Sequence, residues 1–330
     1  MAYIRNSLSL ILILALFRCA PVPQAPDAVK PPVINPHLDP CVMLVEAGDY
    51  TAAIPECSAA ADFDPQDFTA RSYLARAHAG AGNQTRAITE FQSAIRLDPQ
   101  SIKARMDLGD LLLSASRPAE AAEQYRKVAE MKPDFPDAAG KLAQCLMEMK
   151  NWSEADHWLL KAIDLAPDRD DLPVLRIQYL VRAGRPQQAL DYARSARSRW
   201  PASERIRDAS IELLYSQSVA ALQSKQLDSA WKLTDELLII EPGSARAFML
   251  RGRIHRERGN LDEAIAMFRK ASAANPTDST AFVHIGNVYR MKGDNDQAIE
   301  AYRSALRIDP DDVEAKANLK QLIGAPRSRR

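Results

Sequence analysis

Apolar residues follow two patterns along this chain. Near the N-terminus, residues 7–17 form an uncharged, mostly apolar stretch. Beyond residue 40, Ala- and Leu-rich runs alternate with proline and glycine at fixed intervals. Pro65, Pro99, Pro133, Pro167 and Pro201 are spaced 34 residues apart, the step to Pro242 is 41, and Pro276 and Pro310 resume at 34. An alanine stands 12 residues before each proline: Ala53, Ala87, Ala121, Ala155, Ala189, Ala230, Ala264 and Ala298. Gly48, Gly82, Gly184, Gly259 and Gly293 each stand 17 before one. Proline cannot continue a helix, and glycine readily takes the left-handed conformation that ends one. Each period therefore predicts two helices of roughly 13 residues, joined by a glycine-type turn and closed by proline.

The last full unit carries Ala281, Phe282, Ile285, Gly286, Tyr289, Gly293, Ala298, Tyr302, Ala305 and Pro310. The unit ending at Pro133 has Leu108, Gly109, Ala121 and Tyr125; the one ending at Pro99 has Leu74, Ala75, Ala87, Phe91 and Ala94. This pattern resembles the tetratricopeptide repeat (TPR) family over about residues 36–323. The resemblance implies an all-α fold, a right-handed α-solenoid of about eight stacked helix pairs with a C-terminal capping helix, in which no unit buries its apolar face alone. The chain then divides into a signal segment (1–20), a Pro-rich linker (21–36), a repeat array (37–323) and a basic tail (324–330). Arg176-Ile177 stands where the family has Leu-Gly, which predicts an imperfect helix pair before Pro201. The 41-residue interval adds about two helical turns and keeps a helix face in register, so a lengthened first helix is expected over 203–224. Residues 311–323 read as the closing helix, with Leu319 and Leu322 inward.

Within the TPR alignment Cys41 and Cys57 fall at interior positions of the first unit's two helices. A disulfide there would staple the short end unit; the alternative is two small core residues. Cys145 has no partner near it in sequence and reads as a buried free thiol.

In the family the first helices line a concave groove. Carried onto this chain, the groove positions are Tyr73 and Arg76, Met106 and Asp110, Lys141 and Gln144, then Leu175 and Gln178. They continue with Tyr215 and Val219, Met249 and Arg253, and His284 and Asn287. This mixture suits a peptide or helix partner. No first helix carries the Lys and Asn four apart that clamp a peptide carboxylate in the best-known groove, which argues against a chaperone-tail receptor.

The apolar run at the N-terminus follows Arg5 and is too short for a span, which takes roughly 20 residues, so it reads as an export signal. Leu16-Phe17-Arg18-Cys19 resembles a bacterial lipoprotein signal, with Cys19 as the residue that would receive lipid. Arg18 departs from the small residue expected there; a soluble periplasmic protein or an uncleaved signal is the alternative. Seven prolines between 21 and 40 favour an extended spacer.

Charge is balanced overall, with 43 Lys and Arg against 43 Asp and Glu, so nucleic acid is not an expected partner. Arginines are concentrated at 176–207, where Arg182, Arg185, Arg194, Arg197 and Arg199 suggest a basic patch for an acidic partner or polymer. The five histidines have no metal-ligand spacing, and Gly80-Ala81-Gly82 follows a helix rather than a strand. No enzyme activity, cofactor or metal is expected. The sequence reading is a non-catalytic scaffold of the bacterial cell envelope, on the periplasmic side of a membrane, with other envelope proteins as partners. Its layout is similar to TPR lipoproteins of pilus or secretin assembly and of envelope remodelling. A soluble periplasmic adaptor or chaperone, or an accessory subunit of a polysaccharide or enzyme complex, remains open.

Overall fold

In each repeat the residue before the proline leaves the helical region, with ψ between 65° at Trp200 and 96° at Asp64 and Asp309. The proline ring clashes with a helical conformation at the preceding residue. That clash ends the second helix of every unit at the same place. The computed structural model describes residues 34–324; residues 1–33, which include the signal segment, Cys19 and most of the linker, and residues 325–330 of the basic tail lie outside the described residues.

Seventeen α-helices account for the regular structure of the described residues. They pair in chain order: α1 (Leu38–Glu46) with α2 (Tyr50–Phe63), α3 (Phe68–Gly80) with α4 (Gln84–Leu97), α5 (Ile102–Ser114) with α6 (Pro118–Met131), and α7 (Pro136–Glu148) with α8 (Trp152–Leu165). Next come α9 (Asp171–Arg182) with α10 (Pro186–Arg199), α11 (Glu204–Gln223) with α12 (Leu227–Ile240), α13 (Ala245–Glu257) with α14 (Leu261–Ala274), and α15 (Thr280–Lys292) with α16 (Asn295–Ile308). The closing helix is α17 (Val313–Gly324). This is an α-solenoid of helix pairs. One apolar cluster runs through its middle from Ala75 to Ala247.

The turn within each pair is a left-handed helix cap. Gly48, Gly82, Gly184, Gly259 and Gly293 have positive φ, and so do Ser116 (φ 58°), Lys150 (φ 59°) and Lys225 (φ 57°) at the corresponding positions of the other units. In each turn the next N–H reaches back over the last helical turn, as from Asp294 to the Tyr289 carbonyl (2.9 Å) and from Arg117 to that of Leu112 (2.9 Å). These bonds satisfy carbonyls that the helix end would otherwise leave without donors.

The alanines 12 before each proline are wholly buried in all eight units. Two further positions, 24 and 8 before the proline, hold the two helices of a unit together. Gly109 lies against Tyr125, Gly252 against Phe268, and Gly286 against Tyr302, so closely that a β-carbon on the glycine would stand 2.5–2.6 Å from the ring. At the same positions the first unit has Cys41 and Cys57, joined in a disulfide with their Cα atoms 4.7 Å apart. Both are fully buried. The unit ending at Pro201 reverses the sizes, with Ile177 and Ala193 each 3% exposed. Both helices of the pair form, but α9 and α10 meet less extensively than the two helices of any other unit, in keeping with the imperfect pair expected there. Cys145 is a buried free thiol, its pKa pushed up to about 12 by burial.

The additional residues before Pro242 lengthen α11 to 20 residues. A cavity of about 390 Å³ opens beside it, between α10, α11 and α12. Leu319 and Leu322 of α17 pack toward Val283 and Tyr302. Among the described residues no helix is long and apolar enough to cross a membrane, and no cluster suited to a metal ion occurs.

Candidate binding face

The first helices of successive units are tied directly to one another by polar side chains. Arg76 of α3 donates to Glu46 of α1 (2.9 Å), and Tyr73 donates to the same carboxylate (3.2 Å). The Arg76 hydrogen bond and its guanidinium charge, followed by the Tyr73 hydroxyl, hold the Glu46 carboxyl below its ordinary pKa. Lys141 of α7 donates to Asp110 of α5 (2.6 Å), which also accepts the Tyr125 hydroxyl (2.6 Å). Arg182 of α9 donates to Glu148 of α7 (2.8 Å), and Arg246 of α13 to Glu212 of α11 (2.7 Å). At the far end Asn287 of α15 donates to Glu314 of α17 (3.0 Å) and accepts from Tyr302 and Asn318. These links join α1 to α3, α5 to α7, α7 to α9, α11 to α13, and α15 to α17 on the first-helix face.

The sequence-derived groove residues divide into four kinds on this face. Tyr73, Arg76, Asp110, Lys141 and Asn287 are engaged in the links just described. Met106, Leu175, Tyr215, Val219 and Met249 are half-buried against the apolar clusters beneath. Gln144 and Gln178 are exposed. Neither they nor Arg253 make a side-chain hydrogen bond or ion pair with another described residue. His284 stacks near Phe268 (5.1 Å between ring centres) with its Nδ1 buried and unpartnered. Burial, followed by the charge of Arg256, lowers its pKa.

Four carboxylates that the sequence reading missed complete the face: Glu46, Glu148, Glu212 and Glu314 accept from Arg76, Arg182, Arg246 and Asn287. A fifth, Asp107, lies at a cavity of about 380 Å³ between α3 and α5. The cavity is lined by Ala79, Phe91 and Leu111 together with Arg76, Lys103 and Asp110. Burial raises the pKa of Asp107. This depression is open to solvent and mixes apolar side chains with both charge signs.

The arginine cluster does not form one surface. Arg182 belongs to the first-helix face. Arg194 and Arg197 of α10 instead reach Glu236 of α12, at 2.9 and 2.6 Å. Arg185 lies near the Tyr179 hydroxyl (3.4 Å) and Arg199 stacks on Trp200 (4.5 Å). Two carboxylates from other helices, Glu148 and Glu236, thus engage three of the five arginines, on two different faces.

Comparison with known proteins agrees with this architecture. Two profiles described as Tetratricopeptide repeat match the chain, one over residues 44–102, 215–279 and 249–313, the other over 112–173. Comparison with curated proteins finds no match. Among solved structures, MamA AMB-1 is 20% identical, covering 51% of this chain and 99% of that one with a TM-score of 0.46. YrrB, described as a TPR protein with an unusual peptide-binding site, is 20% identical over 70% of this chain and 97% of that one, TM-score 0.31. A tetratricopeptide repeat protein from Parabacteroides merdae ATCC 43184 is 14% identical over 87% and 97%, TM-score 0.40. At these scores no residue role passes from them to this chain.

Proposed function

We propose that this chain, which belongs to the tetratricopeptide repeat family, is a non-catalytic scaffold that holds a protein partner along its first-helix face. The observation that carries the reading is the row of Gln144, Gln178 and Arg253. They stand on the face of α7, α9 and α13 with donors and acceptors that no described residue uses, beside the apolar side chains of Leu175 and Met249. Amide and guanidinium groups free in this way pair with the main chain of a peptide or the polar edge of a helix, and the apolar neighbours supply the buried area.

The setting we propose is the periplasmic side of a bacterial membrane, with Cys19 lipidated and residues 21–36 as the spacer. A disulfide in the first unit supports this, since disulfides persist in oxidising compartments and are rare in reducing ones. So does the export-type run before Cys19. The partners are then other envelope proteins, and pilus, secretin or envelope-complex assembly are settings that fit the layout.

Two arms of one experiment test this. Fractionation of cells making the full chain should place it with membranes and Cys19→Ser in the soluble periplasmic fraction; unchanged membrane association of Cys19→Ser refutes the anchor. Affinity purification from the same membranes should recover a protein partner that the variant Gln144→Glu/Gln178→Glu/Arg253→Glu loses. Equal recovery by that variant refutes the face.

A further inference from the structure

The repeat register identifies two helix faces that the array leaves uncovered. In α15, Phe282, Val283, Gly286 and Tyr289 stand toward the second helix of their unit, where Val283 and Tyr302 share one cluster. Thirty-four residues later, the same positions of α17 are Lys316, Ala317, Lys320 and Ile323, all exposed, with Ile323 at 60%. At the other end, Ala70, Leu74 and Ala77 of α3 pack into the cluster of the preceding unit. Their counterparts before and within α1 are Pro36, Pro40 and Met43, also exposed, with Met43 at 71%. Asp39 stands between them. Each end therefore presents the surface on which the solenoid would add another helix, and among the described residues nothing covers either one.

The two uncovered faces carry opposite charge, Asp39 on the first and Lys316 and Lys320 on the last, although Asp309, Asp311, Asp312 and Glu314 stand just before the latter. Between residues 31 and 70 the chain has Asp39, Glu46, Asp49, Glu56, Asp62, Asp64 and Asp67 and no Lys or Arg. From residue 315 to 330 it has Lys316, Lys320, Arg327, Arg329 and Arg330 and no acid. The three arginines lie outside the described residues. Glu46 is paired with Arg76 and Lys316 with Asp311 (2.9 Å), but Asp39 and Lys320 have no ion-pair partner among the described residues.

We propose that the basic, apolar outer face of α17 docks on the acidic outer face of α1 of a second copy, so that the chain associates head to tail. Met43 and Ile323 supply apolar contact, and Asp39 against Lys320 supplies charge complementarity, which steers encounter and suppresses like-end pairing. Such a contact is heterologous: each copy keeps one free head and one free tail, and association is open-ended unless a ring closes.

Sedimentation of the full chain in a non-ionic detergent tests this. At low ionic strength the mean mass should rise with protein concentration, and at about 1 M salt, where screening acts within about 3 Å, it should fall to the monomer. Asp39→Lys alone and Lys320→Glu alone should each weaken association at least tenfold, with unchanged helical circular dichroism. Mixing the two variants should restore it, because every junction between unlike copies again pairs opposite charges. A monomer at all concentrations in low salt overturns the proposal. So does association that both single variants retain, or a mixture that fails to recover while both variants are folded. Binding of the wild-type monomer to anionic lipid vesicles without self-association would assign the basic end to a membrane surface instead.

Discussion

Gly286 of α15 lies under the ring of Tyr302 of α16, where a β-carbon would meet the ring at 2.5 Å. The contact sets how closely the two helices of that unit approach. Replacing Gly286 by Ala forces the Tyr302 ring off its site and, with it, the hydroxyl that donates to Asn287 (2.7 Å). Overpacking of this kind costs about 1–3 kcal/mol. Urea unfolding of Gly286→Ala should show that loss, whereas Gly243→Ala, with open space around it, should leave stability near wild type.

Ile177 and Ala193 occupy the same pair of repeat positions with their sizes exchanged. Ile177→Gly removes a buried side chain and should cost about 2–5 kcal/mol, and Ala193→Phe against an intact Ile177 should cost about 1–3 kcal/mol. Combined, they recreate the glycine–aromatic contact seen at Gly252 and Phe268. A double-mutant cycle should return a favourable coupling of about 1–3 kcal/mol. Additive losses would mean that the two residues do not face one another.

Ser116, Lys150 and Lys225 hold the left-handed turn that glycine holds in the other five units. An ordinary residue in that conformation costs about 1–2 kcal/mol, and glycine gives back about 0.5–1 kcal/mol through the freedom it adds to the unfolded chain. The strain term is larger, so each of Ser116→Gly, Lys150→Gly and Lys225→Gly should stabilise the array by about 0.5–1 kcal/mol. Thermal unfolding of the three single variants checks the sign.

The Cys41–Cys57 bridge closes a loop with a sequence separation of 16, for which chain entropy gives about 3 kcal/mol. Helix α1 has only 9 residues and Pro55 interrupts the hydrogen bonding of α2, so the bridge adds to a small cluster around Val45, Ala53, Ala60 and Leu74. In a solenoid each unit leans only on its neighbours, so the effect stays local. Reduction should accelerate amide hydrogen exchange in α1 and α2 and leave α13 to α16 unchanged.

Much of the fold was legible from single residue types. Proline acts on the residue before it, alanine at 12 before proline admits a close neighbour, and glycine in the turn adopts positive φ; each effect needs no knowledge of the rest of the chain. The turns at Ser116, Lys150 and Lys225 were not legible in this way, because there the surrounding hydrogen bonds impose a conformation that the residue itself disfavours. The size exchange at Ile177 and Ala193 was equally hidden, since either residue alone reads as a departure from the pattern.

The candidate face was legible only in part. Repeat register gave its positions, but not which of them are already used. Arg76, Asp110 and Lys141 find partners about one repeat away in sequence, and Arg194 and Arg197 find Glu236 on the second helix of the next unit. Counting charges within 176–207 could not show that Glu148 and Glu236, brought in from other helices, engage three of those arginines. Gln144 and Gln178 remain exposed because no adjacent helix offers them a group.

Site-specific photo-crosslinking in cells tests the central claim most directly. A crosslinking amino acid is placed at Gln144 or Gln178 on the first-helix face, or at Leu160 or Ile239 on the second helices α8 and α12. The account predicts a discrete protein adduct from Gln144 and Gln178 and none from Leu160 and Ile239. Adducts from the second-helix positions alone, or from all four alike, would contradict it.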